Sequence, residues 1–126
     1  MAGRLLENES MVKQEMLILV NEQDQEFGYA EKLAVHQQGQ LHRAFSIFIF
    51  RLRNQQQELL LQQRSNDKYH CGNLWTNTCC GHPQQGETII KAATRRLYEE
   101  MLIRTALIRL DSFCYRAVFA NGLVEH

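Results

Sequence analysis

The stretch from Gly81 to Leu102 constrains this chain most, because it is a loop closed by a helix whose charged residues stand at fixed spacing. It fits G-x5-E-x7-R-R-L-x-E-E, with Gly81, Glu87, Arg95, Arg96, Glu99 and Glu100 at the specified positions. Ile90, Ala93, Leu97 and Met101 recur at intervals of 3, 4 and 4, which predicts an amphipathic helix over Thr88 to Leu102. Arg96 and Glu100, one turn apart, fall beside that stripe and point along the rim of the core. A loop followed by such a helix gathers carboxylates at one end of a site, where they can hold a divalent cation against a diphosphate. A substrate class follows from this, but not a reaction.

The spacing is that of a Nudix box. In the usual Nudix pattern the residue after the first arginine is Glu, which in hydrolases serves the metal cluster that activates water. Here it is Arg96, so the box looks converted from hydrolysis to something else. Just ahead, Thr76-Asn77-Thr78-Cys79-Cys80-Gly81-His82-Pro83 puts a thiol two residues from a histidine. With Glu31-Lys32, Leu41-His42-Arg43-Ala44-Phe45-Ser46, Trp75-Thr76-Asn77, Tyr115-Arg116-Ala117 and Gly122-Leu123-Val124-Glu125 in this order, the chain closely resembles type I isopentenyl diphosphate isomerase from about Ile18 onward.

Several expectations are implied by that resemblance. The fold class is α/β (α+β), a Nudix-like mixed sheet flanked by helices in a single domain whose C-terminal part is missing. A metal site, for Mn2+ or Zn2+, is formed by His36, His42, His82 and Glu125. The second glutamate of the family's Glu-x-Glu, both a ligand and an acid-base group, has no counterpart before the chain stops at His126. Cys80 is the remaining acid-base group, and Tyr115 lies beside the cationic centre. Lys32, Arg64, Lys68 and Arg96 contact the diphosphate, and Glu100 holds the Mg2+ bound to it. The substrate is an isoprenoid diphosphate, and an edge left open by the missing part is a candidate homodimer surface.

The residues themselves are less specific. Histidines at 36, 42 and 82 lie in three separated segments, and a lone histidine is more often structural than a ligand. His36 and His42 flank a loop, however, so both rings can converge, and neutral imidazole suits Zn, Mn or Fe. Cys79 and Cys80 cannot be told apart chemically; the family motif selects Cys80. Trp75 reads as an aromatic packed near a loop. Arg104 and Arg109 read as surface charges.

A chain of 126 residues is one domain. Lys+Arg 14 against Asp+Glu 14 leaves no net charge and hence no field for nucleic acid or a membrane surface. No segment approaches a spanning helix and no apolar signal core opens the chain, so a cytoplasmic location is expected. In that setting the cysteines at 71, 79, 80 and 114 are expected to be reduced rather than a disulfide framework.

Residues 1 to 15 read as a polar arm. Met16 to Val20 fits a strand, Glu31 to His36 a short helix, and Ala44 to Phe50 a buried strand running out through Leu52-Arg53. Asn54 to Gln57 turns the chain and Glu58 to Arg64 returns. Ala106 to Phe119 reads as strand, and Asn121-Gly122 as a turn.

Three functions remain open: an isomerase or a truncated form of one, a Nudix hydrolase of nucleoside diphosphates weakened by Arg96, and a non-catalytic metal- or phosphate-binding module.

Overall fold

The computed structural model describes residues 15–65 and 72–126. The expected arm, apart from Glu15, and Lys68 and Cys71 lie outside them.

β1 (Met16–Val20) pairs antiparallel with β2 (Glu26–Glu31) around a turn in which Asn21 Oδ1 accepts from the amides of Gln23 and Gln25, both at 3.0 Å. Arg43 clamps this turn through Asp24 Oδ1 at 2.8 Å and Glu26 Oε1 at 2.7 Å. On its other edge β1 bonds the 41–43 segment, with Val20 N to Leu41 O at 3.2 Å and Arg43 N to Ile18 O at 2.9 Å. Flanked on both edges, Leu17 to Val20 are all buried. α1 (Lys32–Gln38) follows β2 directly. Its N-cap Glu31 accepts from the amides of Leu33 and Ala34, and Gly39, at φ 66°, closes the C-terminus in the left-handed conformation. Val35 packs on Leu17 and Leu19.

β3 (Phe45–Ile47) pairs antiparallel with β8 (Cys79–Gly81). β4 (Phe50–Arg53) and β5 (Gln56–Leu59) form a hairpin whose turn, Asn54-Gln55, has positive φ at both residues. β6 (Gln62–Gln63) pairs with β7 (Trp75–Thr76). α2 (Ile89–Met101) is capped by Thr88 and packs Ala93 and Leu97 against Ile47 and Cys79. β9 (Ala117–Val118) and β10 (Val124–Glu125) form the last hairpin, with Gly122 at φ 85° in its turn. All five ladders among the described residues are antiparallel.

Three expectations change. The strand expected over Ala44 to Phe50 breaks after Ile47 because side chains of the β7–β8 loop take its backbone groups. Asn77 Nδ2 donates to Ile47 O at 2.8 Å, and Ile49 N donates to Thr78 Oγ1 at 3.0 Å. Phe50 and Leu52 are therefore exposed rather than buried. On α2 the buried face is Ala92, Ala93 and Leu97, while Ile90 at its first turn is exposed. Of Ala106 to Phe119 only Ala117–Val118 is strand, since the rest finds no ladder partner among the described residues.

Leu97 is 1% exposed at the centre of the α2 core, so Leu97→Ala is expected to destabilise the chain by about 2 to 5 kcal/mol in denaturant melts. Arg95 bonds Glu87 through Nε at 2.8 Å and Nη1 reaches Glu99 at 3.2 Å, tying the loop to the helix. The Arg95 hydrogen bond holds the Glu87 carboxyl below its ordinary 4.5 against the opposing effect of burial. A depressed carboxyl contributes stability above its unfolded pKa and loses it as pH falls through the folded value. Below about pH 4.5 stability should therefore fall more steeply in the wild type than in Glu87→Gln, as read by denaturant midpoints across pH.

Candidate metal and acid-base site

Three imidazoles and one carboxylate from separate parts of the fold meet in one cluster. His36 comes from α1, His42 from the segment bridged to Leu19, His82 from the end of β8 and Glu125 from β10. One ligand atom of each lies within 4.8 Å of every other, and the ring centroids are 5.1, 5.2 and 6.1 Å apart. Glu125 spans two rings, with Oε1 3.0 Å from His36 Nε2 and Oε2 3.6 Å from His42 Nε2. Its own strand is fixed from both sides. Buried Val124 sits in contact range of Gly39, His42 N donates to His126 O at 3.0 Å, and His126 Nδ1 meets Gly39 O at 3.0 Å.

The ring orientations are also set. His36 Nδ1 meets Lys32 O at 2.7 Å, a contact one helical turn back, and His42 Nδ1 meets Gln40 O at 3.0 Å. A neutral ring that donates from Nδ1 carries its lone pair on Nε2, the nitrogen that faces Glu125 in both cases.

Charge in the quartet is strongly redistributed. Burial pushes His42 down to about 4, aided by the charges of His82 and His36 and opposed by the Gln40 carbonyl and Glu125. At His36 burial acts in the same direction, but hydrogen bonds to Glu125 and the Lys32 carbonyl outweigh it and raise the pKa. Burial would raise Glu125, yet its bond to His36 and the three imidazoles leave it lowered. The donor set, three nitrogens and a carboxylate with two ring tautomers held by carbonyls, fits a divalent transition metal.

The alternation of β8 separates the two adjacent thiols. Cys79 is buried in the α2 core with Ile47, and burial pushes its thiol up. Cys80 turns to the opposite face, where Sγ lies 3.0 Å from Asn77 Oδ1 and 3.7 Å from Ser46 Oγ. Cys79, Cys80 and Cys114 are free thiols. Gly81 pairs with Phe45, and a Cβ there would stand 2.7 Å from the Phe45 ring and 2.9 Å from Arg96 Cγ, so only glycine lets strand, ring and helix approach this closely. Tyr115 is exposed on the cleft wall, its pKa raised by partial desolvation and then by the charges of Glu125 and Cys80.

Cys80, His42, His82, Glu125 and Tyr115 line one open cleft together with Lys32, Arg64, Arg96 and Glu100. Lys32 Nζ is 3.2 Å from Glu15 Oε2. Arg64 Nε is buried with no hydrogen-bond partner among the described residues. Arg96 is paired with Glu99 at 2.9 Å and with Glu100, whose Oε2 also receives Gln62 Nε2 at 3.2 Å. Lys68 is outside the described residues, so its expected place is untested. Trp75, expected to pack, is instead 66% exposed on the cleft wall, because two-residue β7 offers no face to bury it. Sequence reasoning missed Asn77 and Ser46 beside Cys80 and Glu15 beside His82. Only the register of β3 on β8 and the path of residue 15 reveal them.

Comparison with known proteins agrees with this geometry. The NUDIX domain family model matches residues 40–122. The isopentenyl-diphosphate Delta-isomerase of Serratia proteamaculans is 54% identical over 112 residues, covering 89% of this chain and 61% of the relative. The Pectobacterium atrosepticum protein of the same name is 51% identical over 110 residues, covering 87% and 60%. That of Photobacterium profundum is 50% identical over 119 residues, covering 92% and 66%. The chain thus spans about 60% of the length of such curated relatives. A glycine-spaced loop, an ion-paired helix and a thiol-histidine turn in one cleft find their common explanation in descent: the chain belongs to the Nudix domain family, in the branch whose curated relatives are isopentenyl-diphosphate Delta-isomerases.

Proposed function

We propose that the chain carries the metal-binding and thiol half of an isomerase that interconverts isopentenyl and dimethylallyl diphosphate. The observation that supports this reading above others is the His36, His42, His82 and Glu125 quartet, of which His42, His82 and Glu125 line the same cleft as Cys80. The reaction adds a proton at the terminal methylene carbon and removes one two carbons away, through a tertiary cationic centre. It therefore needs two acid-base groups facing each other across the substrate. Cys80 is assigned to one of those transfers, with Asn77 Oδ1 and Ser46 Oγ holding the thiol. Tyr115, on the cleft wall, is assigned to the cationic centre.

The quartet residues would hold Mn2+ or Zn2+, which supplies fixed positive charge beside the reacting carbons. Lys32, Arg64 and Arg96 are assigned to the diphosphate, and the buried Arg64 Nε, without a hydrogen-bond partner among the described residues, supports an anion there. Glu100 is assigned to the Mg2+ that accompanies the diphosphate. To reach it, Glu100 must exchange its pairing with Arg96, which frees the guanidinium for phosphate oxygens at the same moment. The hydrolase reading is weaker because Arg96 neutralises Glu99 and Glu100, the carboxylates it would need on a metal.

The chain is expected to bind an isoprenoid diphosphate and to exchange its protons rather than release phosphate from nucleotides. Proton exchange measured beside phosphate release from nucleotides checks this, and rapid phosphate release would reject the isomerase reading. Removing His82 with His82→Ala is expected to abolish stoichiometric Mn2+ or Zn2+ in elemental analysis. Metal ligation requires neutral imidazole, and the raised pKa of His36 keeps a proton competing above its ordinary 6.5. Metal affinity should therefore rise from about pH 6 to about pH 8 in calorimetric titrations, and a flat profile would contradict the ligand set. Arg96→Glu should weaken diphosphate binding with Mg2+ by on the order of 1.5 to 3 kcal/mol. Unchanged affinity with new phosphate release would instead favour the hydrolase.

A further inference from the structure

Two of the quartet imidazoles have Nδ1 held by a backbone carbonyl, Lys32 O for His36 and Gln40 O for His42. At His82 the corresponding oxygen is a carboxylate, Glu15 Oε1, 3.4 Å from Nδ1. The second oxygen of Glu15 lies 3.2 Å from Lys32 Nζ, and its backbone carbonyl accepts from Lys32 N at 2.9 Å. Glu15 is thus tied at two points to the start of α1, the helix that carries His36, and reaches across to a histidine that arrives from β8. Neither the box nor the thiol-histidine motif contains it.

We propose that Glu15 is a positioning residue of the quartet: its carboxylate holds the His82 Nδ1–H, orients the ring among the other ligands, and ties it to Lys32 on the diphosphate side of the cleft. The physical basis is that a carboxylate behind an imidazole fixes the tautomer, leaves the lone pair on Nε2 and increases the basicity of that nitrogen. Cations bound by such a ring polarise its N–H, which strengthens the contact with the carboxylate behind it. Lys32 Nζ, 3.2 Å from Glu15 Oε2, holds the carboxylate beside His82, so a residue assigned to phosphate also supports the metal ligand. This assignment deepens the function proposed above and rests on it.

The test is titration of the full chain with Co2+, followed by calorimetry and by the visible absorption of the bound ion, in the wild type and in Glu15→Ala, Glu15→Gln and Glu15→Asp. Glu15→Ala is expected to weaken Co2+ binding about 10- to 100-fold and to alter the visible band. Glu15→Gln should lose less, and Glu15→Asp should recover part of the affinity, with the melting temperature of the metal-free chain unchanged throughout. Equal Co2+ affinity in the wild type and Glu15→Ala overturns the role of Glu15 while leaving the quartet intact. An equal loss in all three variants, accompanied by lower melting of the metal-free chain, also overturns it, because Glu15 would then support the fold alone. Absence of Co2+ binding in the wild type would instead overturn the metal reading on which this inference rests.

Discussion

The local structure depends on keeping one wholly buried imidazole satisfied. His36 has no solvent to turn to, so its Nδ1 takes the Lys32 carbonyl within its own helix and, when the ring is protonated without a metal, its Nε2–H donates to Glu125. Removing that carboxylate would leave a buried polar nitrogen facing two further imidazoles, at a desolvation cost of about 1 to 3 kcal/mol. Glu125 in turn is carried by a two-residue strand too short to be stable alone. Its place is secured by Val124 against Gly39 and by His126 against the backbone of Gly39 and His42. Contacts made on the Gly39 C-cap of α1 thus deliver the fourth member of the quartet.

A second constraint acts through β8. Three residues assign three environments: Cys79 enters the α2 core, Cys80 faces the cleft and Gly81 makes room for Phe45 and Arg96. A shift of one residue in the β3–β8 register would exchange the two thiols between core and cleft. That register is held by Asn77, whose amide bonds both Ile47 O and Cys79 O, while its carbonyl oxygen meets the Cys80 thiol. Packing and site chemistry are therefore set by one side chain.

The charged face of α2 works differently. Arg95 joins Glu87 and Glu99, and Arg96 joins Glu99 and Glu100, so the helix presents a connected set of exchangeable ion pairs at the rim of the cleft. Partly exposed pairs of this kind contribute modestly to stability, commonly up to about 1 kcal/mol each. Their small net worth is what allows an anion and its cation to replace them without unfolding the helix.

Local information in the sequence determined the elements that depend only on neighbours along the chain. The 3,4,4 apolar interval and Thr88 specify α2, Gly39 specifies the end of α1, and Asn121-Gly122 specifies the last turn. The ordered motifs also pointed to the family and to the ligand set. Tertiary structure decided what depends on contacts across the chain: that three separated histidines and Glu125 meet, that Glu15 stands behind His82, and that Arg96 is held by Glu99 and Glu100. It also ended β3 at Ile47 and exposed Trp75 and residues of the Ala106 to Phe119 stretch, where apolar pattern alone predicted packing or strand. The reason is that period and capping are properties of a few consecutive residues, whereas ladder partners, buried hydrogen bonds and ligand convergence join positions tens of residues apart that no local pattern encodes.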